Sequence, residues 1–276
     1  MALQRSCAWR CRSWEALSTG CLQGNYLGNQ NMPNPRPRVA FFVTCLVDQF
    51  RPQVGECVVK VLERLGVEVT FNAAQTCCGQ PAFNTGYRRE ARAVAARMLD
   101  VFEGAEYVVA PSGSCSSMVR VFTPELFADD PRRLQQAEQL RARFFEFSEF
   151  LVKVLKVENV GASFPHRVAY HDSCHLLREL GIAAEPRALL RAVRGIDLVE
   201  LQDHRLCCGF GGTFAVKFPE VSVAMGEDKL RAMAATGAEY FVANDAGCLL
   251  HLDGLIHRQG LPLKTLHLAE LLEKQE

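Results

Sequence analysis

Cys77-Cys78-Gly79 and Cys207-Cys208-Gly209 are one tripeptide met twice, 130 residues apart. Each is flanked by one cysteine upstream and one downstream: Cys45 and Cys115 around the first, Cys174 and Cys248 around the second. Equivalent cysteines stand at offsets of 129, 130, 130 and 133 residues. The approaches to them repeat as well. Arg38-Val39-Ala40-Phe41 leads to Cys45, and Arg167-Val168-Ala169-Tyr170 leads to Cys174. Glu106-Tyr107-Val108-Val109-Ala110 leads to Cys115, and Glu239-Tyr240-Phe241-Val242-Ala243 to Cys248. The chain therefore reads as a duplicated domain rather than a solenoid of short repeats.

Within each copy short apolar runs alternate with helical stripes. Residues 39–43, 67–71 and 107–110 have the composition of strands, as do 168–170, 198–201 and 241–243. Val54, Val58, Val61, Leu62 and Leu65 follow the spacing of one helix face, with Gly66 to end it. Ala91, Val94, Ala95, Met98, Leu99 and Phe102 mark a second helix, and Leu189, Leu190 and Val193 one in the second copy. Alternation of this kind predicts an α/β fold: two duplicated halves with parallel sheets. In every case the cysteines come after a strand, so the sites are expected at the C-terminal ends of the strands. The expected organisation is an N-terminal extension over 1–36, a first repeat over 37–130, a linking helix over 131–160 and a second repeat over 161–276. Phe147, Phe150, Leu151, Val154 and Leu155 would be the buried stripe of the linking helix.

Composition narrows the function classes. Lys plus Arg and Asp plus Glu balance at 31 each, so no net field favours nucleic acid or an anionic membrane. The longest apolar run, 39–47, is far shorter than the roughly 20 residues of a spanning helix. Residues 1–36 hold Arg5, Arg10 and Arg12 but no apolar stretch of the secretory kind, and read as a disordered or over-annotated extension. A cytoplasmic, reducing location is expected, where twelve cysteines are not explained by disulfides.

Four thiols on three loops of each half point to a metal. Burying them as thiolates is costly unless a cation neutralises them, and such sites select zinc, Cu(I) or iron–sulfur clusters. Structural zinc favours knuckles with two to four residues between ligands. Adjacent cysteines on extended backbone point opposite ways, which suits a multi-iron object better. Gly79 and Gly209 after the pairs, and Gly113 and Gly247 before the last cysteines, would let backbone approach it closely. A zinc-stapled interaction module is the alternative.

Cys45, Cys77-Cys78-Gly79, Pro111-Ser112-Gly113-Ser114-Cys115, His171-Asp172-Ser173-Cys174, Cys207-Cys208-Gly209-Phe210-Gly211-Gly212 and Asn244-Asp245-Ala246-Gly247-Cys248 resemble the cysteine-rich CCG-domain family. Its members include the CCG component of heterodisulfide reductase, iron–sulfur components of glycolate and glycerol-3-phosphate oxidation, and the lactate-utilisation A group, which the bare tandem motif resembles most. The resemblance covers about 37–272. It implies two [4Fe–4S] clusters, held by Cys45, Cys77, Cys78 and Cys115 and by Cys174, Cys207, Cys208 and Cys248. It further implies an electron-transfer role in oxidising L-lactate to pyruvate, beside other subunits of a lactate-oxidising complex, further iron–sulfur proteins among them. The heterodisulfide reductase component ends each motif with Cys-x-x-Cys. Here those positions read Cys115-Ser116-Ser117-Met118 and Cys248-Leu249-Leu250-His251, leaving four thiols per half, enough for an ordinary cluster. A reductase whose clusters act on substrate themselves is the second reading.

Other residues carry weaker signals. His171 and Asp172 are expected either to relay protons beside a cluster or to order their loop. His251 and His204 are expected near the second site without ligating. Cys57 falls on an apolar helix face and reads as core, and Cys7, Cys11 and Cys21 have no counterpart in the repeat.

Overall fold

The computed structural model describes residues 36–275. The expectations for residues 1–35, Cys7, Cys11 and Cys21 included, lie outside the described residues. The first half is a parallel sheet in the order β2-β1-β3-β4, with β1 Arg38–Phe41, β2 Glu68–Thr70, β3 Tyr107–Ala110 and β4 Phe144–Glu146. The second half repeats it as β6-β5-β7-β8, with β5 Arg167–His171, β6 Asp197–Val199, β7 Tyr240–Ala243 and β8 Lys264–His267. Register repeats too: Val39 stands beside Val69 and Tyr107, and Val168 beside Leu198 and Tyr240. Beyond the exposed Arg38 and Arg167 that open β1 and β5, the central strands are mostly buried, as expected where helices cover both faces. The α/β class and the duplication are as the sequence predicts.

The linking helix differs from its expectation. Helix Pro131–Arg143 stops at Phe144, and Phe144–Glu146 joins the first sheet as its fourth strand. Two aromatic residues favour an extended backbone, and pairing with β3 satisfies backbone groups that a helix would otherwise satisfy. Helical structure resumes over Phe147–Glu149 and Phe150–Val154, where Phe147, Phe150 and Leu151 are buried as the stripe requires.

Helix Pro52–Arg64 buries Val54, Val58, Val61 and Leu62, and Arg88–Val101 buries Ala91, Ala95, Met98 and Leu99. Each half has an outer core of its own. The largest cluster is shared: Val39, Val58 and Leu62 pack in one continuous body with Val168, Tyr170, Leu268 and Leu272 of the other half. Leu272 and Glu273 offer their carbonyls to Arg64 across this seam. No described helix is long and apolar enough to cross a membrane.

The outer strands tie the halves together at their C-terminal ends. Glu146, last residue of β4, accepts hydrogen bonds from Ser148 and from Asn244 Nδ2 at 2.9 Å, just after β7. His267, last residue of β8, accepts from Ala269 N on Nδ1 and so donates from Nε2 to the Pro111 carbonyl at 3.1 Å, just after β3. The two contacts are counterparts across the duplication. Burial holds His267 neutral, pushing it down to about 4, and raises the Glu146 carboxyl to about 7 against its Ser148 and Asn244 hydrogen bonds.

A raised carboxyl favours folding while protonated. The contribution is complete below the ordinary value of 4.5 and is lost as pH climbs through about 7. Glu146→Gln keeps a neutral side chain in place. Between pH 4.5 and 8 its stability, measured by chemical denaturation, should gain about 3 kcal/mol relative to the parent. A constant difference across that range would show that Glu146 is ionised throughout.

Candidate metal centre

Three loops in each half carry the thiols, and each loop leaves the C-terminal end of a strand. Cys45 opens helix Cys45–Phe50 after β1, the adjacent pair follows β2, and Cys115 lies in helix Gly113–Ser117 after β3. Thr44, just before Cys45, is buried and held at a φ of 68°, a conformation that a β-branched residue rarely adopts. The pair reaches both flanking cysteines: Cys77 Sγ lies 3.7 Å from Cys45 Sγ, and Cys78 Sγ lies 3.4 Å from Cys115 Sγ. In the second half Cys174 opens helix Cys174–Arg178, and its Sγ lies 3.9 Å from that of Cys207. Cys208 hydrogen-bonds to Cys207 and Cys248. Every described cysteine is a free thiol, and Cys57 packs against the shared core as the sequence predicts.

The glycines serve two purposes. Gly79 and Gly209 adopt φ of 87° and 88°, and their N–H groups point at the Sγ of Cys77 and Cys207, each at 3.4 Å. A side chain at Gly113 would come within 2.6 Å of Leu176 Cβ, and one at Gly247 within 2.7 Å of the Phe210 ring. The last two glycines thus answer to protein packing, Gly113 to packing between the halves.

Electrostatics follow from the crowding. Cys77 is the thiol that ionises first, held down to about 3 by hydrogen bonds from Cys45 and then Cys78. Cys207 is held to about 2 by Cys174 and then Cys208. Their donors move the other way: sharing the proton with Cys77 and burial raise Cys45, and sharing it with Cys207 and burial raise Cys174. Cys78 is raised by its contacts with Cys115 and Cys77, and Cys208 by those with Cys207 and Cys248. One thiolate therefore stabilises itself by keeping its neighbours protonated. A soft cation is what lets the remaining protons leave. The donor set fits a thiolate-bound metal or cluster in both halves.

Seven of the eight thiols face a common cavity of about 270 Å³ between the halves; Cys77 alone does not line it. Asp245, absent from the sequence-level candidates, holds its rim. It caps its own helix through Gly247 N and reaches across to Ser112 Oγ at 3.1 Å and Ser114 N at 2.9 Å. Asp245 and Ser112 stand at the offset of 133 that relates Cys248 to Cys115, so the repeat itself carried the signal.

His171, last residue of β5, and Asp172, just after it, part ways. The Asp172 carboxylate is gripped by both terminal nitrogens of Arg187, each at 2.7 Å, which orders the loop. The His171 ring is fully buried, stacked on Phe241, and neither of its nitrogens has a hydrogen-bond partner. One of those nitrogens and the Sγ atoms of Cys208 and Cys248 all lie within 4.8 Å of one another. Burial pushes the ring down to about 3. His251 turns to the Ser222 carbonyl at 3.1 Å, and the His204 carbonyl accepts from Lys229 Nζ at 3.2 Å. Lys229 is wholly buried, and burial lowers it to about 8.

The CCG cysteine-rich domain matches residues 39–120 and again 168–253. The chain belongs to the CCG cysteine-rich domain family. Lactate utilization protein A of Exiguobacterium sp. is 50% identical over 240 residues, covering 86% of this chain and 98% of that protein. Its namesake in Geobacillus thermodenitrificans is 46% identical over 235 residues, covering 85% and 98%. A hypothetical protein from Helicobacter pylori shares the fold in its crystal structure, with a TM-score of 0.64 at 11% identity, over 95% of this chain and 54% of that one.

Each CCG half thus presents its own four thiols. Cys78→Ser and Cys208→Ser should each halve the metal bound per chain, read by elemental analysis after anaerobic purification. Full metal content in either variant would remove that half's thiol set from the account.

Proposed function

We propose that the chain holds one iron–sulfur cluster in each half and passes electrons in the oxidation of L-lactate to pyruvate, as one component of a multi-subunit, cytoplasmic system. Cys45, Cys77, Cys78 and Cys115 would hold the first cluster, and Cys174, Cys207, Cys208 and Cys248 the second. The observation that carries the reading is the convergence of four thiols in each half, with Cys77 3.7 Å from Cys45 and Cys78 3.4 Å from Cys115 in the first, and Cys207 3.9 Å from Cys174 in the second. The near full-length likeness to lactate utilization protein A supports the substrate.

A bound cluster supplies one-electron storage. The protein supplies the rest. The thiols that still hold protons give them up to become ligands, so loading falls as pH falls. Gly79 N and Gly209 N stabilise negative charge on Cys77 and Cys207. Asp245 fixes the Ser112–Ser114 loop of one half against the other, holding the two thiol sets at constant separation. The pairs Cys78–Cys115 and Cys208–Cys248 form the buried side of each site.

A zinc site in each half is the second reading, and one measurement favours it. The thiol pairs at 3.4, 3.7 and 3.9 Å are near the edge of a tetrahedron with zinc–sulfur bonds of about 2.3 Å.

In cells whose copy of the gene is deleted, growth on L-lactate should stop and growth on pyruvate continue. The full chain should restore growth on lactate, and Cys78→Ser or Cys208→Ser should restore less than a tenth of it. Undiminished growth on lactate without the chain would remove lactate from the proposal.

A further inference from the structure

The duplication allows the two thiol sets to be compared position by position. The offset of 129 that relates Cys45 to Cys174 places Phe42 opposite His171. On the helix behind the adjacent pair, Gly79 packs on Ala91 and Val94, and Gly209 on Ser222 and Met225, an offset of 131. The same offset sets Met98 opposite Lys229. All four side chains are buried, at 1% and 3% exposure for Phe42 and Met98 and 0% for His171 and Lys229. The first set of thiols is therefore backed by an aromatic ring and a thioether. The second is backed by an imidazole and an ammonium group.

We propose that the two sites hold their clusters at different reduction potentials, the second above the first, because Lys229 and His171 stand beside the second thiol set where the first has Met98 and Phe42. The inference rests on the cluster reading above and extends it to a direction of electron flow. Adding an electron to a thiolate-bound cluster adds negative charge. A buried cation and an N–H donor aimed at the sulfurs stabilise that state most, since water does not screen them. His171 is placed for this: its nitrogens make no hydrogen bond in the structure, and one lies within 4.8 Å of the Sγ atoms of Cys208 and Cys248, free to donate toward a charged cluster. The charge of Lys229 acts on the same two residues. Asp172, just after the strand, and Asp203 also act on Lys229, and Asp172 is itself paired with Arg187. Phe42 can make no such bond; its ring packs edge-on against Phe102 and Phe144. One electron then leaves a reduced first site and enters an oxidised second site. No bond is made or broken, and the electron comes from the upstream lactate-oxidising component and leaves to a downstream acceptor.

The test is a redox titration of the full chain under anaerobic conditions, followed by electron paramagnetic resonance after iron and sulfide have been measured. The parent should show two separate midpoints. His171→Phe and Lys229→Met install the first half's residues. Each should lower the upper midpoint by at least tenfold in the one-electron equilibrium, about 59 mV, leaving the lower midpoint and the iron content unchanged. His171→Gln retains an N–H donor and should keep the upper midpoint closer to the parent's. Coincident midpoints in the parent would overturn the inference, as would variants that leave the upper midpoint in place or move the lower one. Loss of second-site iron from all three variants would also overturn it, making these side chains supports of the site rather than tuners of its potential. A parent without iron would instead refute the cluster reading itself, a failure recognisable before any variant is made.

Discussion

Thiols packed against one another away from water cannot all ionise. In each half one cysteine takes the charge, Cys77 or Cys207, and its neighbours keep their protons to stabilise it. That arrangement is costly to bury and gains nothing for folding that alanine and valine would not supply. On the cluster reading it becomes favourable when a cation replaces the protons.

The fold gathers the thiols by topology. A parallel sheet sends every loop of one kind to one edge, and three such loops carry four thiols to one place. Duplication supplies a second edge, and the seam turns the two edges toward each other. Glu146 with Asn244 and His267 with Pro111 clasp the outer strands, while Asp245 clasps the Ser112–Ser114 loop. The shared apolar core, running from Val39 to Leu272, lies behind these polar contacts. The cavity between the halves follows from two similar surfaces meeting with their cysteines inward.

Much of this was legible in the residues because the repeat is strong. The central strands, the helical stripes and the eight cysteines fall on equivalent positions, and a duplicated pattern is read twice. What escaped has physical reasons. β4 was hidden inside a helical stripe, because Phe147, Phe150 and Leu151 continue from it with helical spacing and a three-residue strand leaves almost no periodicity. β8 is partly exposed at the sheet edge, and Lys264-Thr265-Leu266-His267 carries too little apolar content to read as a strand. Gly113 and Gly247 read as conformational glycines, but their partners, Leu176 and Phe210, lie far along the chain. Lys229 was invisible for the same reason: a lysine on an amphipathic helix reads as solvent-facing, and only the fold shows that it has none to face. His171 and Asp172 read as a pair because they are neighbours, whereas the end of β5 sends one to the thiols and the other to Arg187.

The most direct test of the account is the metal and sulfide content of the full chain purified without oxygen, with an electron paramagnetic resonance spectrum after chemical reduction. The account predicts iron and acid-labile sulfide sufficient for two clusters per chain, about eight of each for [4Fe–4S] sites, with a spectrum that appears on reduction. Stoichiometric zinc without sulfide would contradict it, and would make the paired thiols the edges of two structural zinc sites.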